Sequence, residues 1–253
     1  MNFDKIITSV LPRTYLEKYR LGNDTHHIRK KFIHKQGSSS LFIVLPPWGD
    51  GAGLPRFLTH HLVKLGNSCL VYSFPRSILS PDPKLTLKIF HEIAGKIKTD
   101  IALIKQKYNF QQIEIIAPSL GCVSGLMTAN GNKDVTGLYL IAPGSCLASS
   151  LWDGIRTRKL KGIYENKNIN KEYLKILWQS IAPKNNLNAL KDKKIILITS
   201  KSDKIIPYCY GKELGDLLKK QYPETVIQEN RYLGHYLTTI KFYLFPNVWM
   251  KKL

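Results

Sequence analysis

The chain has 253 residues, of which 43% are hydrophobic and 22% charged, a balance that supplies enough apolar surface for a sizeable core. This composition argues against an intrinsically disordered protein, and one α/β domain is the default expectation for this length. The formal net charge of +20 is unusual, and it raises nucleic acid or an anionic membrane as partners.

Short apolar runs alternate with longer amphipathic stretches along the chain. A possible edge strand at 28–34 precedes runs typical of strands covered on both faces, at 41–45, 69–74, 113–117, 137–141 and 195–199. Apolar residues at helical spacing mark 53–66, 84–107, 119–131 and 208–221, and a weaker strand at 225–229 precedes a last helix beginning near Tyr236. Because strand and helix alternate, the sequence predicts an α/β fold with a doubly wound, mostly parallel sheet.

The segment 145–190 is too long for a plain connection between strands. It carries aromatic residues in a helix-compatible pattern, at Trp152, Tyr164, Tyr173 and Trp178. We therefore expect residues 1–253 to form a single domain, with a small helical cap inserted at 145–190.

A strand-to-helix elbow is the clearest chemical motif. The strand at 113–117 runs into Ala117-Pro118-Ser119-Leu120-Gly121, followed by a helical segment. Such a turn is so tight that bulky side chains two positions either side of the serine would clash, and Ala117 and Gly121 avoid this. The motif predicts that Ser119 is a nucleophile. The alternative is a serine that merely caps the helix, since serine is a favoured N-cap residue.

With this elbow the chain resembles the α/β-hydrolase fold family over roughly residues 38 to 245, with Ala117 in place of the family's first glycine. In that family the nucleophile, the acid and the histidine occur in that chain order. The resemblance implies that Asp203, in Ser202-Asp203-Lys204 after the strand 195–199, is the catalytic acid, although a turn aspartate is the alternative. It implies that His235, in a Gly-His pair after the last strand, is the base.

The loop after the strand 41–45, from Pro46 to Gly53, lies at the position of the family's oxyanion loop. It has prolines where the family has His-Gly, and proline has no amide hydrogen. The expected oxyanion donors are therefore the amides of Trp48 and Leu120. The glycine-rich run lacks the Gly-Lys-Ser/Thr of a phosphate loop, so we do not expect a nucleotide here.

Together these residues predict a serine hydrolase that cleaves an ester or related acyl bond of a small molecule through an acyl-enzyme, without a cofactor or metal. Carboxylesterase is the preferred activity. Thioesterase, peptidase, and perhydrolase or haloperoxidase activity on the same triad are alternatives. A different class is a hydrolase-fold protein without catalysis, which would bind anions or nucleic acid through its lysine excess.

The remaining composition bears on partners and location. Lysine supplies 30 of the 38 basic residues, and dispersed lysine favours a solvated surface over nucleic-acid recognition, where arginine dominates. Two dense basic clusters, 29–31 and 156–161, remain candidate anion-binding patches. The four widely spaced cysteines argue against a zinc site or a disulfide framework. No segment resembles a signal peptide or a membrane span, so we expect a cytoplasmic protein.

Overall fold

One seven-stranded sheet, in the order β1-β3-β2-β4-β5-β6-β7, organises the computed structural model, which describes residues 28–48 and 53–250. All strand pairs are parallel except β1 with β3. The strands are β1 (Arg29–Ile33), β2 (Ser40–Val44), β3 (Ser68–Ser73), β4 (Gln112–Pro118), β5 (Gly137–Ile141), β6 (Lys194–Ser200) and β7 (Val226–Asn230). The predicted doubly wound, mostly parallel sheet is confirmed.

Helices follow most of the strands and cover both faces of the sheet. They are α1 (Gly53–Lys64), α2 (Pro83–Lys107), α3 (Gly121–Ala129), α4 (Leu147–Asp153), α5 (Arg158–Asn166), α6 (Lys171–Leu177), α7 (Tyr208–Gln221), α8 (Gly234–Leu244) and α9 (Pro246–Met250). None of these helices within 28–48 and 53–250 is long and apolar enough to cross a membrane.

Two hydrophobic cores follow from the alternation of side chains along each strand. Ile115 belongs to the core that contains side chains of α2, α3 and α7 on one face, whereas its neighbour Ile116 belongs to the core that contains side chains of α1 and α8 on the other. Both isoleucines are fully buried, as expected for a strand in the middle of a doubly covered sheet.

The segment 145–190 contains the three short helices α4, α5 and α6, followed by 3-10 turns at Gln179–Ile181 and Pro183–Asn185. Tyr164 and Trp178 are buried within it, with ring centroids 6.3 Å apart. The Trp178 indole donates a hydrogen bond to the Pro83 carbonyl oxygen at 2.8 Å, which ties the segment to the start of α2. That the segment acts as a cap over a binding site stays a prediction.

The chain reverses direction across the sheet between β2 and β4. From β2 it passes outward to β3 and then returns to β4 on the other side of β2. In open α/β sheets such a switch point opens a crevice at the carboxyl ends of the two strands. Trp48 follows β2 and Ser119 follows β4, so both residues lie beside this crevice.

Candidate active site

Ser119 lies in a strained turn between β4 and α3. Its φ of 52° is in the left-handed region, which costs a residue other than glycine on the order of 1–3 kcal/mol. The Ser119 N–H donates to the Ile141 carbonyl oxygen at 2.7 Å and so fixes the turn to β5. The N-cap of α3 is Leu120, and it makes no side-chain capping bond. The interpretation of Ser119 as a helix cap is therefore wrong.

Small residues around the elbow allow α3 to lie close to β2 and β4. A Cβ atom on Gly121 would come within 2.9 Å of the Pro46 carbonyl oxygen, and one on Gly125 within 2.8 Å of the Ala117 Cβ. The helix start can therefore approach the loop after β2 only with glycine at 121.

The three predicted catalytic side chains form a continuous hydrogen-bonded chain. His235 Nε2 lies 2.9 Å from Ser119 Oγ, and His235 Nδ1 lies 2.8 Å from Asp203 Oδ2. Because a carboxylate only accepts, Nδ1 carries the proton and Nε2 accepts from the serine hydroxyl. All three residues are buried, with exposed fractions of 8% for Ser119, 6% for Asp203 and 4% for His235.

Asp203 is held in place by the backbone as well as by His235. Its Oδ1 accepts from the amides of Ile205 at 2.9 Å and Ile206 at 3.0 Å. The Asp203 carboxylate therefore stabilises the turn that contains it, which agrees with the interpretation of Asp203 as a turn aspartate. Its second oxygen also contacts His235.

The histidine loop contains positioning residues that sequence reasoning missed. Gly234, with a φ of 64°, donates its N–H to Ser200 Oγ at 3.1 Å and Ser202 Oγ at 3.0 Å. Asn230 Oδ1 accepts from the Leu233 amide at 3.1 Å. Their closeness in sequence to the predicted catalytic residues could have identified them. Ser200 and Ser202 precede Asp203 in the same loop, and Asn230 ends the strand before His235.

A small pocket adjoins Ser119, with a volume of about 50 Å³. Its walls are mainly aliphatic, with two further hydroxyl groups and one cation. The lining residues are Trp48, Leu79, Ser119, Leu120, Leu147, Ser150, Leu151, Arg156, Thr157, Ile205 and Ile206.

Both predicted oxyanion residues, Trp48 and Leu120, belong to this pocket wall. Across 28–48 and 53–250, the Leu120 N–H has no protein acceptor, so it can donate to a ligand. Residues 49–52 of the predicted oxyanion loop lie outside the described residues. The oxyanion role of both amides stays a prediction.

The thiol of Cys122 is disfavoured as a nucleophile near the elbow. Cys122 is fully buried below Ser119 and its thiol donates to the Ala117 carbonyl oxygen at 2.8 Å. Burial raises the pKa of this thiol far above its usual range, so Cys122 does not compete as a nucleophile. The part of the chain that the structure describes has no group of three or more His, Cys, Asp or Glu side chains placed to hold a metal ion.

No model of a known protein family matches the chain, and no curated protein matches it either. Solved structures do match. An esterase from Pyrococcus furiosus is 15% identical with a TM-score of 0.60, over 90% of this chain and 88% of that one. An esterase from Butyrivibrio proteoclasticus, solved with ferulic acid bound, is 13% identical with a TM-score of 0.60, over 90% and 98%. Acetyl xylan esterase 1 from Thermoanaerobacterium sp. is 12% identical with a TM-score of 0.60, over 86% and 80%.

Proposed function

Because the chain has the α/β-hydrolase fold, we propose that it is a serine hydrolase that cleaves carboxylic esters with short acyl groups. The observation that carries this proposal is the hydrogen-bonded chain from Ser119 through His235 to Asp203. The esterase activity of the similar structures supports it. At identities of 12–15%, those structures show the fold.

The geometry supports a two-step reaction. Ser119 Oγ attacks the acyl carbon while His235 Nε2 takes its proton, and the Asp203 carboxylate stabilises the imidazolium. The amides of Leu120 and Trp48 would stabilise the oxyanion. His235 then gives the proton to the leaving alcohol oxygen. Water, deprotonated by the same histidine, then attacks the acyl carbon, and the histidine returns the proton to Ser119 Oγ as the acid is released.

Pocket size supports a short acyl group. A volume of about 50 Å³ holds on the order of four water-sized groups, since each needs about 10–15 Å³. Leu147, Leu151 and Ile205 supply apolar walls for a hydrocarbon chain. An acyl group of two to four carbons therefore fits within the pocket.

A fluorophosphonate probe, which reacts with activated serines, tests the nucleophile. We expect the wild-type protein to be labelled and to hydrolyse p-nitrophenyl acetate and butyrate faster than the octanoate. Ser119→Ala should abolish labelling and lower kcat by on the order of 10⁶-fold. Ser124→Ala is the matched control, because Ser124 is buried in α3, five residues further along the chain. An unlabelled wild type, or equal labelling of Ser119→Ala, would overturn the proposal.

A further inference from the structure

Arg156, in the loop between α4 and α5, joins the two sides of the Ser119 pocket. Its guanidinium carbon lies 5.1 Å from the centroid of the Trp48 ring and 5.6 Å from that of the Tyr236 ring. Its Nη1 also donates to the Tyr236 hydroxyl at 2.8 Å. Trp48 follows β2 and Tyr236 adjoins His235, so the guanidinium is held between the predicted oxyanion loop and the base.

The apolar surroundings of the pocket strengthen the electrostatic effect of Arg156. Among the eleven lining residues that the structure describes, Arg156 alone carries a formal charge, and most of the others are aliphatic. Apolar walls lower the local dielectric, so a charge there acts more strongly on a bound group than on one in bulk water. Two aromatic faces hold the planar fork in place, which reduces the entropy lost when it binds a ligand.

The residues of the basic cluster 156–161 lie in two different environments. Arg156 turns toward the pocket and is half-buried, whereas Arg158 and Lys159, on the first turn of α5, are exposed. One residue of the basic run therefore has a different environment from the rest. If the positive charge of Arg156 served only solubility, we would expect its side chain to be exposed to solvent, like those of Arg158 and Lys159.

We propose that Arg156 is a specificity-determining residue that binds a carboxylate carried by the ester substrate, so that the preferred substrates are anionic short-chain esters. This inference rests on the proposed esterase function. A guanidinium matches a carboxylate with two parallel hydrogen bonds, which a neutral ester of the same size cannot form. The carboxylate can belong to the acyl group or to the alcohol.

Two pairs of esters distinguish these sources. p-Nitrophenyl hemisuccinate against p-nitrophenyl butyrate places the carboxylate on the acyl side. 4-Acetoxybenzoate against 4-acetoxybenzamide places it on the alcohol side. We expect wild-type kcat/KM to favour the anionic member of one pair by about 10- to 100-fold, the range of one charge-assisted hydrogen bond. Added salt should reduce that preference.

Substitutions then assign the preference to Arg156. Arg156→Gln should remove the preference, mainly through a higher KM for the anionic ester, and Arg156→Lys should retain part of it. Arg158→Gln removes the same charge two residues away, on the exposed start of α5, and should leave the preference intact. Thermal unfolding of each variant separates a loss of binding from a loss of folding.

Three outcomes would overturn the inference. Equal losses on anionic and neutral esters in Arg156→Gln would assign Arg156 a purely structural role. A labelled, active wild type without anionic preference in either pair would overturn the specificity but leave the esterase function standing. A wild type that the fluorophosphonate probe does not label would overturn both.

Discussion

The conformation of Ser119 is imposed by its neighbours. A φ of 52° is unfavourable for serine, and two backbone bonds keep the residue there. Its N–H donates to Ile141, and its carbonyl oxygen accepts from the Cys122 amide at 3.0 Å. With the backbone held on both sides, Oγ meets His235 instead of the first amides of α3. The strain therefore persists only as long as β5 lies beside the elbow.

Asp203→Asn tests whether the acid orients the base. Asparagine can keep the bonds from the amides of Ile205 and Ile206, so the fold should survive. Its NH₂ group cannot accept from His235 Nδ1, so the imidazole would take the wrong tautomer and kcat should fall by about 10⁴-fold. The rate of p-nitrophenyl acetate hydrolysis measures kcat, and circular dichroism checks that the fold is retained. Asp216→Asn, on the exposed side of α7, is the control. A fall of less than about tenfold in the kcat of Asp203→Asn would contradict the proposal that Asp203 orients His235.

The close contact between the start of α3 and the loop after β2 connects core packing to the candidate site. Gly121 lets the helix start approach Pro46, and two residues further on lies Trp48, one of the predicted oxyanion donors. The Leu45 amide donates to the Ile116 carbonyl oxygen at 2.9 Å, so the β2 side of this contact is anchored to β4. Any atom added at 121 must therefore displace either the loop or the helix.

Gly121→Ala should disturb the predicted oxyanion loop. The added Cβ would lie 2.9 Å from the Pro46 carbonyl oxygen, closer than such atoms pack, and movement of one oxyanion donor typically costs about 10²- to 10³-fold in kcat. Gly95→Ala is the matched control, because a Cβ there meets nothing within 4 Å on the exposed side of α2. It should stabilise the protein by about 0.5–1 kcal/mol with full activity. A fully active Gly121→Ala would show that the contact is irrelevant to catalysis.

The net charge of +20 bears on the stability of the folded protein. The chain carries 38 basic and 18 acidic residues, so the basic residues outnumber their possible acidic partners by 20. Each surface ion pair is worth only about 0–1 kcal/mol. The ion pairs within 28–48 and 53–250 are mostly exposed, as at Lys88 with Glu92 and Lys212 with Asp216. Self-repulsion of this kind destabilises the compact state.

Salt should therefore stabilise the protein. Raising the ionic strength from about 0.01 M to about 0.15 M shortens the Debye length from about 30 Å to about 8 Å and screens repulsion between distant lysines. We expect the melting temperature to rise across this range, measured by scanning fluorimetry in sodium chloride. A falling melting temperature would show that attractive pairs outweigh the repulsion.

Hydrophobic patterning determined the strands closely. Each predicted strand agrees with the structure to within one residue at either end, from β1 at Arg29–Ile33 to β7 at Val226–Asn230. Buried strands leave continuous apolar runs, and these depend only on neighbours in sequence. Helix α3 is shorter than predicted, beginning at Gly121, because the elbow occupies 119 and 120. The cap at 145–190 stays a prediction.

The predicted triad residues could be named from motifs because each follows a strand end, and the resemblance supplied their order. Arg156 could not be singled out, since nothing in a basic run shows which member faces inward. Its neighbours Trp48 and Tyr236 lie far from it in sequence and meet it only through the order of the strands. Local pattern thus predicted the elements and the candidate reactive groups. The pocket, the one cation among its described lining residues, and the contact across 116 residues between Ser119 and His235 required the assembled sheet, because side chains remote in sequence meet only when the whole chain packs.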